Sequence, residues 1–303
     1  MAAEARGPAG PPPPGRPSAG GPPAGGPPPG RDVDAGGVRL RIAEIGTGRP
    51  TVLLHGGGPG CTAWSDFRAV AGRLAEGRRL ILVDLAQYGA SEAPDVTGPA
   101  ASFHAARVLA ALDALGVGRA DFVCQSLGGT VALALAARRP DRAGRLVVPG
   151  PQPVTAPCGV RSDAALGARA RAEYYGGDGP TPEKMRSLLS ALEWHDPSLL
   201  PDTTVRLRYE ASVTPAALAL AAGTARRGVP EDLTAALPAV RSPVLLLWGE
   251  HDPFAGPAYA HSLAARLPRA DVAVLGRTAH HPAEERPAAY AALAAAHLDG
   301  LLP

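Results

Sequence analysis

The chain has 303 residues, with 30 Lys and Arg against 28 Asp and Glu and a formal net charge of +2. This near balance, with arginines scattered among acids, excludes the concentrated basic surface that a nucleic-acid partner would need. An apolar fraction of 46% provides for a large core, and no stretch of the sequence reads as a membrane span. The three cysteines lack metal-ligand spacing, so we expect a cytoplasmic protein without a metal or other cofactor.

The composition divides the chain into four segments. Residues 1–31 are mostly Pro, Gly and Ala and present no apolar face, which predicts a disordered tail. Residues 32–150 and 238–303 alternate short apolar runs with helical patterns, which predicts the two parts of one α/β core. Residues 151–237 contain helical patterns broken by Pro and Gly and no buried strand. We therefore expect a helical lid inserted into the core.

Continuous or alternating apolar runs predict the strands of this core, and apolar residues at helical spacing predict its helices. Strands are expected at 38–43, 51–54, 80–84, 121–124, 145–148, 243–249 and 271–275. Helices are expected at 64–74, 101–115, 127–139 and 286–298, and in the lid at 164–175, 182–194, 204–212 and 215–226. Their alternation implies a mostly parallel sheet that is covered by helices on both faces.

The segment around Ser126 is the strongest functional signal in the sequence. An apolar run ends at Cys124, Ser126 follows two positions later, and Gly128 and Gly129 precede an alanine-rich helical pattern. A strand, a sharp turn and a helix would place the serine hydroxyl at the apex of the turn, beside a helix N-terminus. The segment resembles the nucleophile elbow G-x-S-x-G of α/β hydrolases, with Cys124 in place of the first glycine.

A glycine-rich loop, His55-Gly56-Gly57-Gly58-Pro59-Gly60, follows the buried strand 51–54. Backbone N–H groups in such a loop can face a reaction centre. We predict that the N–H groups of Gly57 and Leu127 form an oxyanion hole. A phosphate-binding loop is excluded because no Lys-Ser or Lys-Thr follows.

Two further candidates come directly after later strands. Asp252 lies in Trp248-Gly249-Glu250-His251-Asp252, and His280 lies four residues before Glu285. The order Ser126, Asp252, His280 matches the α/β-hydrolase triad, in which imidazole takes the serine proton and the carboxylate orients the imidazole. Asp252 is preferred to Glu250, and His280 to His281, because of these spacings.

From residue 38 to 302 the chain resembles the meta-cleavage product hydrolases, which are carbon–carbon bond hydrolases of aromatic catabolism. The resemblance rests on the glycine loop with Trp64-Ser65, the elbow, Pro140-Asp141-Arg142, Trp248-Gly249-x-x-Asp252, and His280 with Glu285. It implies an α/β-hydrolase fold with a mostly parallel eight-stranded sheet flanked by helices and an inserted helical lid. It also implies that six residues contact substrate: Gly56, Gly58, Asp66, Gln125, Arg208 and His281.

Three of these positions depart from the family pattern. Asp66 and Gln125 stand where asparagine is usual, and His281 replaces an aromatic residue. Arg208, in Arg208-Tyr209-Glu210, matches the arginine that meets the carboxylate end of the substrate. An ionised Asp66 would disfavour an anionic substrate.

The resemblance implies hydrolysis of a carbon–carbon bond in a 2-hydroxy-6-oxo-dienoate-like ring-cleavage product or a related diketone. Two alternatives stay open: an esterase, lactonase or thioesterase that tailors a secondary metabolite, and a hydrolase-fold protein that binds or rearranges its ligand without hydrolysis. The expected partner is a small molecule rather than nucleic acid or membrane. A homodimer or higher homo-oligomer is left open.

Overall fold

The computed structural model describes residues 26–302, so residues 1–25 of the predicted tail lie outside the described residues. The strands of the structure are β1 Gly30–Asp34, β2 Arg39–Ile45, β3 Arg49–Leu54, β4 Arg78–Val83, β5 Val96–Pro99, β6 Ala120–Cys124, β7 Ala143–Val147, β8 Arg227–Val229, β9 Val244–Gly249 and β10 Ala270–Leu275. The helices before the insert are α1 Ala63–Phe67, α2 Ala71–Leu74, α3 Ala100–Ala114 and α4 Leu127–Arg138.

Four helices lie in the insert at residues 151–237: α5 Leu166–Tyr175, α6 Pro182–Leu192, α7 Asp202–Ser212 and α8 Pro215–Ala221. The last three α-helices are α9 Pro257–Ala264, α10 Pro282–Glu285 and α11 Pro287–Leu298. Short 3-10 turns occupy Pro197–Leu199 and Leu237–Ala239. None of the helices within residues 26–302 has the length and apolar content needed to cross a bilayer.

Eight strands form one sheet in the order β1-β2-β4-β3-β6-β7-β9-β10. β2 runs antiparallel to both β1 and β4, and the remaining neighbours are parallel. The central strands β3, β6 and β9 are almost entirely buried, because helices pack on both faces of the sheet. The predicted α/β-hydrolase fold, with its eight-stranded and mostly parallel sheet, is confirmed.

Two hydrophobic clusters lie on opposite faces of this sheet. One contains side chains of α3, α4 and α9, and the other contains side chains of α1, α2 and α11. A third, smaller cluster lies within the insert and includes Met185, Leu189 and Val205. The insert therefore has an apolar core of its own.

Several helices and strands of the structure differ from their predicted bounds. The predicted helix 64–74 consists of two short helices, because Arg68 to Val70 form a turn in which the Val70 N–H donates to the Phe67 carbonyl at 3.0 Å. The predicted helix 215–226 ends at Ala221, and β8 follows, paired with β5 in a separate two-stranded sheet. The first strand begins at Gly30, two residues inside the segment predicted as tail.

The parallel strands carry their carboxyl ends to one edge of the sheet. β3 leads into the glycine loop, β6 into Ser126, β9 into the Asp252 loop and β10 into the His280 loop. The fold thus brings four distant segments of sequence to one place, which is where ligands bind in open α/β sheets.

Candidate active site

Ser126 lies on a strained turn between β6 and α4. Its φ is +46° and its ψ is −107°, a left-handed conformation that a residue with a Cβ adopts only when the surroundings enforce it. The Ser126 N–H donates to the Pro149 carbonyl at 2.9 Å, which holds the turn against the neighbouring strand. A Cβ on Gly128 would lie 2.1 Å from the Leu54 carbonyl oxygen, so only glycine lets α4 start this close to β3.

Cys124, the departure from the elbow pattern, is fully buried at the end of β6. Burial raises the pKa of its thiol, which therefore stays neutral and behaves as a small apolar side chain. The turn at Ser126 forms with cysteine at this position.

The two N–H groups predicted for the oxyanion hole lie beside this turn. A Cβ built on Gly57 would be 3.3 Å from Leu127 Cβ, so the two backbones face each other closely. Among the described residues, neither the Gly57 nor the Leu127 N–H has a hydrogen-bond acceptor. Both donors thus remain available next to Ser126.

His280 and Asp252 form a buried, hydrogen-bonded pair. His280 Nδ1 lies 2.7 Å from Asp252 Oδ2, and both residues are buried. Asp252 Oδ1 accepts the Phe254 N–H at 2.9 Å, which fixes the carboxylate. Because Nδ1 carries the proton shared with Asp252, Nε2 is left as a proton acceptor. The structure pairs His280 rather than His281 with the acid, and Asp252 rather than Glu250.

Two side chains hold the loop that carries His280. Gln125 Nε2 donates to the His280 carbonyl at 2.8 Å, and Glu285 Oε1 accepts the Ala279 N–H at 2.6 Å. Gln125, expected to contact substrate, thus positions the histidine from behind. The spacing between His280 and Glu285 in the sequence lets the Glu285 carboxylate accept the N–H of Ala279, the residue before the histidine.

A cavity of about 410 Å³ opens over these groups. Ser126, Leu127, His280, His281 and the three loop glycines Gly56, Gly57 and Gly58 all border it. Most of its other lining residues are small or apolar and come from the insert, α3 and the β8 segment: Ala100, Ala101, Ala164, Ala168, Leu188, Leu192 and Val229. The cavity suits a small, largely apolar molecule with a few polar ends.

Arg208 is fully buried and does not line this cavity. Its Nη1 and Nη2 donate to the two carboxylate oxygens of Glu193 at 2.7 and 2.9 Å, and its Nε donates to the Pro59 carbonyl at 3.0 Å. Burial alone raises the pKa of Glu193, but the charges of Arg208 and His281 outweigh it and lower that pKa to about 2. The expectation that Arg208 contacts the substrate is therefore not met by this geometry.

His281 borders the cavity but is engaged on both ring nitrogens. Its Nε2 lies 3.3 Å from Glu193 and its Nδ1 lies 3.1 Å from Glu284. Burial lowers the pKa of His281, but the carboxylates of Glu193 and Glu284 raise it by a larger amount. The result is a pKa raised from 6.5 to about 9. The imidazole is protonated at neutral pH.

Glu193, His281 and Glu284 bring possible ligand atoms within 4.8 Å of one another, a spacing that a metal ion could use. Both carboxylates already have cationic partners. Glu193 is paired with Arg208 and with His281, and Glu284 is paired with His281. A metal would have to displace these ion pairs, so the cluster fits an internally neutralised network better than a metal centre.

Asp66 lies behind the glycine loop rather than in the cavity. Its Oδ2 accepts the Gly56 N–H at 2.8 Å, and its Oδ1 accepts the Ser65 hydroxyl at 2.8 Å. The predicted substrate contact of Asp66 is not supported, because this side chain is buried and anchors the loop.

The residues that border the cavity but were not singled out from the sequence include Arg171, Glu193 and Phe254. Phe254 packs against the His280 ring at a centroid distance of 4.3 Å, with the two rings tilted by 40°, and could have been suggested by its place two residues after Asp252. Arg171 and Glu193 lie in the insert, where no sequence pattern distinguishes them.

Comparison with known proteins agrees with this description. A family model described as the alpha/beta hydrolase fold matches residues 50–287. A 2-hydroxymuconate semialdehyde hydrolase from Pseudomonas sp. strain CF600 is 33% identical over 270 residues, which cover 87% of this chain and 92% of that protein. A 2-hydroxy-6-oxononadienedioate/2-hydroxy-6-oxononatrienedioate hydrolase from Burkholderia vietnamiensis strain G4 is 31% identical, over 80% of this chain and 85% of that protein.

A solved structure shows the same likeness. The meta-cleavage product hydrolase CumD from Pseudomonas fluorescens IP01 superposes with a TM-score of 0.77 at 25% identity, covering 90% of this chain and 98% of that chain. The predicted resemblance is thus confirmed both in sequence and in fold. The chain therefore belongs to the α/β hydrolase fold family, within which the relatives it matches are named as meta-cleavage product hydrolases.

Proposed function

We propose that the chain is a serine-dependent hydrolase that cleaves the carbon–carbon bond next to the 6-oxo group of a 2-hydroxy-6-oxo-dienoate or a related diketone. The observation that carries this proposal is the strained Ser126 turn on the same cavity as the His280–Asp252 pair, whose atoms are 2.7 Å apart. The substrate class comes from the relatives, which are named for such dienoates.

The first step is a proton transfer within the substrate. The 2-hydroxyl proton leaves, a proton is added to C5, and the dienol becomes a 2,6-diketone. His280 Nε2, held by Asp252, is the group in the cavity that can carry this proton. Ketonisation makes C5 a competent leaving carbon, because the departing electron pair is delocalised onto the 2-oxo group.

The second step is cleavage at the 6-oxo carbon. Ser126 Oγ adds to this carbon as its proton passes to His280, and the N–H groups of Gly57 and Leu127 stabilise the oxyanion. The C5–C6 bond then breaks, which leaves an acyl group on Ser126, and the His280 imidazolium gives its proton to the 2-oxo oxygen of the departing dienolate. His280 next deprotonates a water that adds to C6, and it returns this proton to Ser126 Oγ as the acyl group leaves as a carboxylic acid. Overall one water is consumed: its OH is bound to C6, and its proton replaces, through Ser126, the 2-hydroxyl proton that moved to C5.

Ester hydrolysis is the second candidate function. The observation that favours it is the burial of Arg208 in an ion pair with Glu193, which leaves the cavity without the carboxylate-binding arginine implied by the resemblance. A neutral acyl ester needs the same Ser126, His280 and oxyanion hole but no anion-binding group.

The test compares wild type with Ser126→Ala on a chromogenic 2-hydroxy-6-oxo-dienoate and on a short-chain acyl ester. Thr130→Ala is the matched control, since it removes a hydroxyl from the cavity wall one helical turn away. The proposal expects dienoate turnover by wild type and by Thr130→Ala but not by Ser126→Ala. Ester turnover without dienoate turnover would favour the second candidate, and Ser126-independent turnover would refute both.

A further inference from the structure

Binding of a dienoate in the cavity requires a cationic group for its carboxylate, and Arg208 is already paired with Glu193. All three of its nitrogens donate to Glu193 or to the Pro59 carbonyl, and its side chain is completely buried. His281 is likewise held between two glutamates. The charges of these groups compensate one another, which leaves little attraction for a further anion.

Arg171, on α5 of the insert, is differently placed. It borders the cavity together with Ser126 and His280, and it is only partly buried. Within residues 26–302 it forms no ion pair, and its one hydrogen bond runs from Nη2 to the Gly57 carbonyl at 2.7 Å. A guanidinium has five N–H donors, so most of the donors of Arg171 remain free next to the oxyanion loop.

A second arginine adds to the positive charge at this end of the cavity. Arg227 borders a cleft that shares Gly58, Tyr88 and Arg171 with the cavity, and its guanidinium lies 5.9 Å from the Tyr88 ring centroid. The described residues that line this cleft include no Asp or Glu. Burial lowers the pKa of Arg227, and the positive charge of Arg171 acts in the same direction.

The two acidic residues that border the cavity have other partners. Glu193 is paired with Arg208, and Glu231 accepts hydrogen bonds from the backbone N–H and the hydroxyl of Ser102. Neither of them compensates Arg171. A bound carboxylate would supply the missing negative charge and could accept two parallel hydrogen bonds from the guanidinium.

We propose that Arg171 binds the carboxylate of the substrate, the role that the resemblance implies for Arg208. This inference rests on the proposed function for the identity of the substrate, but the anion subsite itself rests only on the unpaired guanidinium in the cavity. Arg208 then supports the site from behind by fixing Glu193 and the Pro59 loop.

The direct test measures binding of an unreactive pair of ligands by isothermal titration calorimetry. Hexa-2,4-dienoate carries the carboxylate, and its primary amide is the neutral counterpart. Wild type is expected to bind the carboxylate at least about tenfold more tightly than the amide, and Arg171→Gln is expected to abolish this preference. Arg171→Lys keeps the positive charge but lacks the planar guanidinium, so this variant should retain part of the preference for the carboxylate over the amide.

Arg169→Gln is the matched control, because Arg169 lies on the same helix in an exposed ion pair with Asp163. It should retain the wild-type preference. No preference in wild type, or an unchanged preference in a folded Arg171→Gln variant, would overturn the inference.

Kinetics separate this inference from the proposed function. With a dienoate substrate, Arg171→Gln is expected to raise KM by at least about tenfold with a much smaller change in kcat, as loss of uniform binding requires. If wild type fails to cleave the dienoate while the binding preference depends on Arg171, the proposed function fails and the anion subsite stands. If the dienoate is cleaved with a KM that is independent of Arg171, the inference fails and the proposed function stands.

Discussion

Replacing Arg208 by methionine should destabilise the whole fold rather than merely weaken substrate binding. The substitution removes two hydrogen bonds to Glu193 and one to the Pro59 carbonyl from a fully buried site. Glu193 would then be left as a buried carboxylate with His281 as its remaining cationic partner.

The size of this effect follows from the pKa of Glu193. That pKa is lowered from 4.5 to about 2, which corresponds to about 3 kcal/mol of stabilisation of the charged form at neutral pH. Because the folded-state pKa is the lower one, this stabilisation is present above pH 4.5 and is lost as the pH falls towards 2. Breaking a buried pair from one side costs about 3–5 kcal/mol in other proteins, so Arg208→Met should cost a similar amount at pH 7.

Urea unfolding followed by circular dichroism measures this cost. The double variant Glu193→Gln with Arg208→Met should recover much of the loss, since it removes both charges. Arg186→Met is the control, because Arg186 forms an ion pair with Asp202 on the surface and should cost less than about 1 kcal/mol. A loss below about 1 kcal/mol for Arg208→Met itself would refute the structural role assigned to this arginine.

Three further predictions follow from the site. Because the pKa of His281 is raised from 6.5 to about 9, its contribution to stability is complete below pH 6.5 and is lost as the pH rises through 9, by up to about 3 kcal/mol. Urea unfolding at pH 6 and 9.5 should show this loss in wild type and not in His281→Gln; equal losses in both would contradict the assignment. Asp252→Asn should lower kcat on the order of 10³-fold by favouring the wrong imidazole tautomer, and a loss below tenfold in a steady-state assay would exclude Asp252 as the acid. Gly249→Ala should lower both stability, by about 1–3 kcal/mol, and activity, because its Cβ would lie 1.8 Å from the Ala279 carbonyl oxygen. Gly118→Ala, whose Cβ would meet nothing within 4 Å, should change neither.

The sheet and the reactive groups could be predicted from sequence because both leave local signals. Strands buried on both faces read as continuous apolar runs, such as 244–248 in β9. The turn at Ser126 is encoded by small residues on either side of the serine. By contrast β1 begins within a Pro- and Gly-rich stretch and lies at the edge of the sheet, where no apolar run is required.

The charged groups around the cavity could not be predicted in the same way. Arg208 matches a family position by sequence, yet its role depends on Glu193, 15 residues away on a different part of the insert. Arg171 lies among several arginines on and near α5, and only the packing of α5 over the glycine loop brings its guanidinium to Gly57. Such pairings are decided by tertiary structure, which a single sequence does not specify position by position.

Attack of Ser126 on the 6-oxo carbon should break a carbon–carbon bond. Mass spectrometry of the products that wild type forms from a 2-hydroxy-6-oxo-dienoate in ¹⁸O-labelled water tests this reaction directly. Two products are expected, with ¹⁸O incorporated into the carboxylic acid that derives from the 6-oxo end and not into the hydroxydienoate fragment. Recovery of the uncleaved substrate or of its diketone tautomer alone, or the same cleavage by Ser126→Ala, would rule out Ser126-dependent carbon–carbon cleavage.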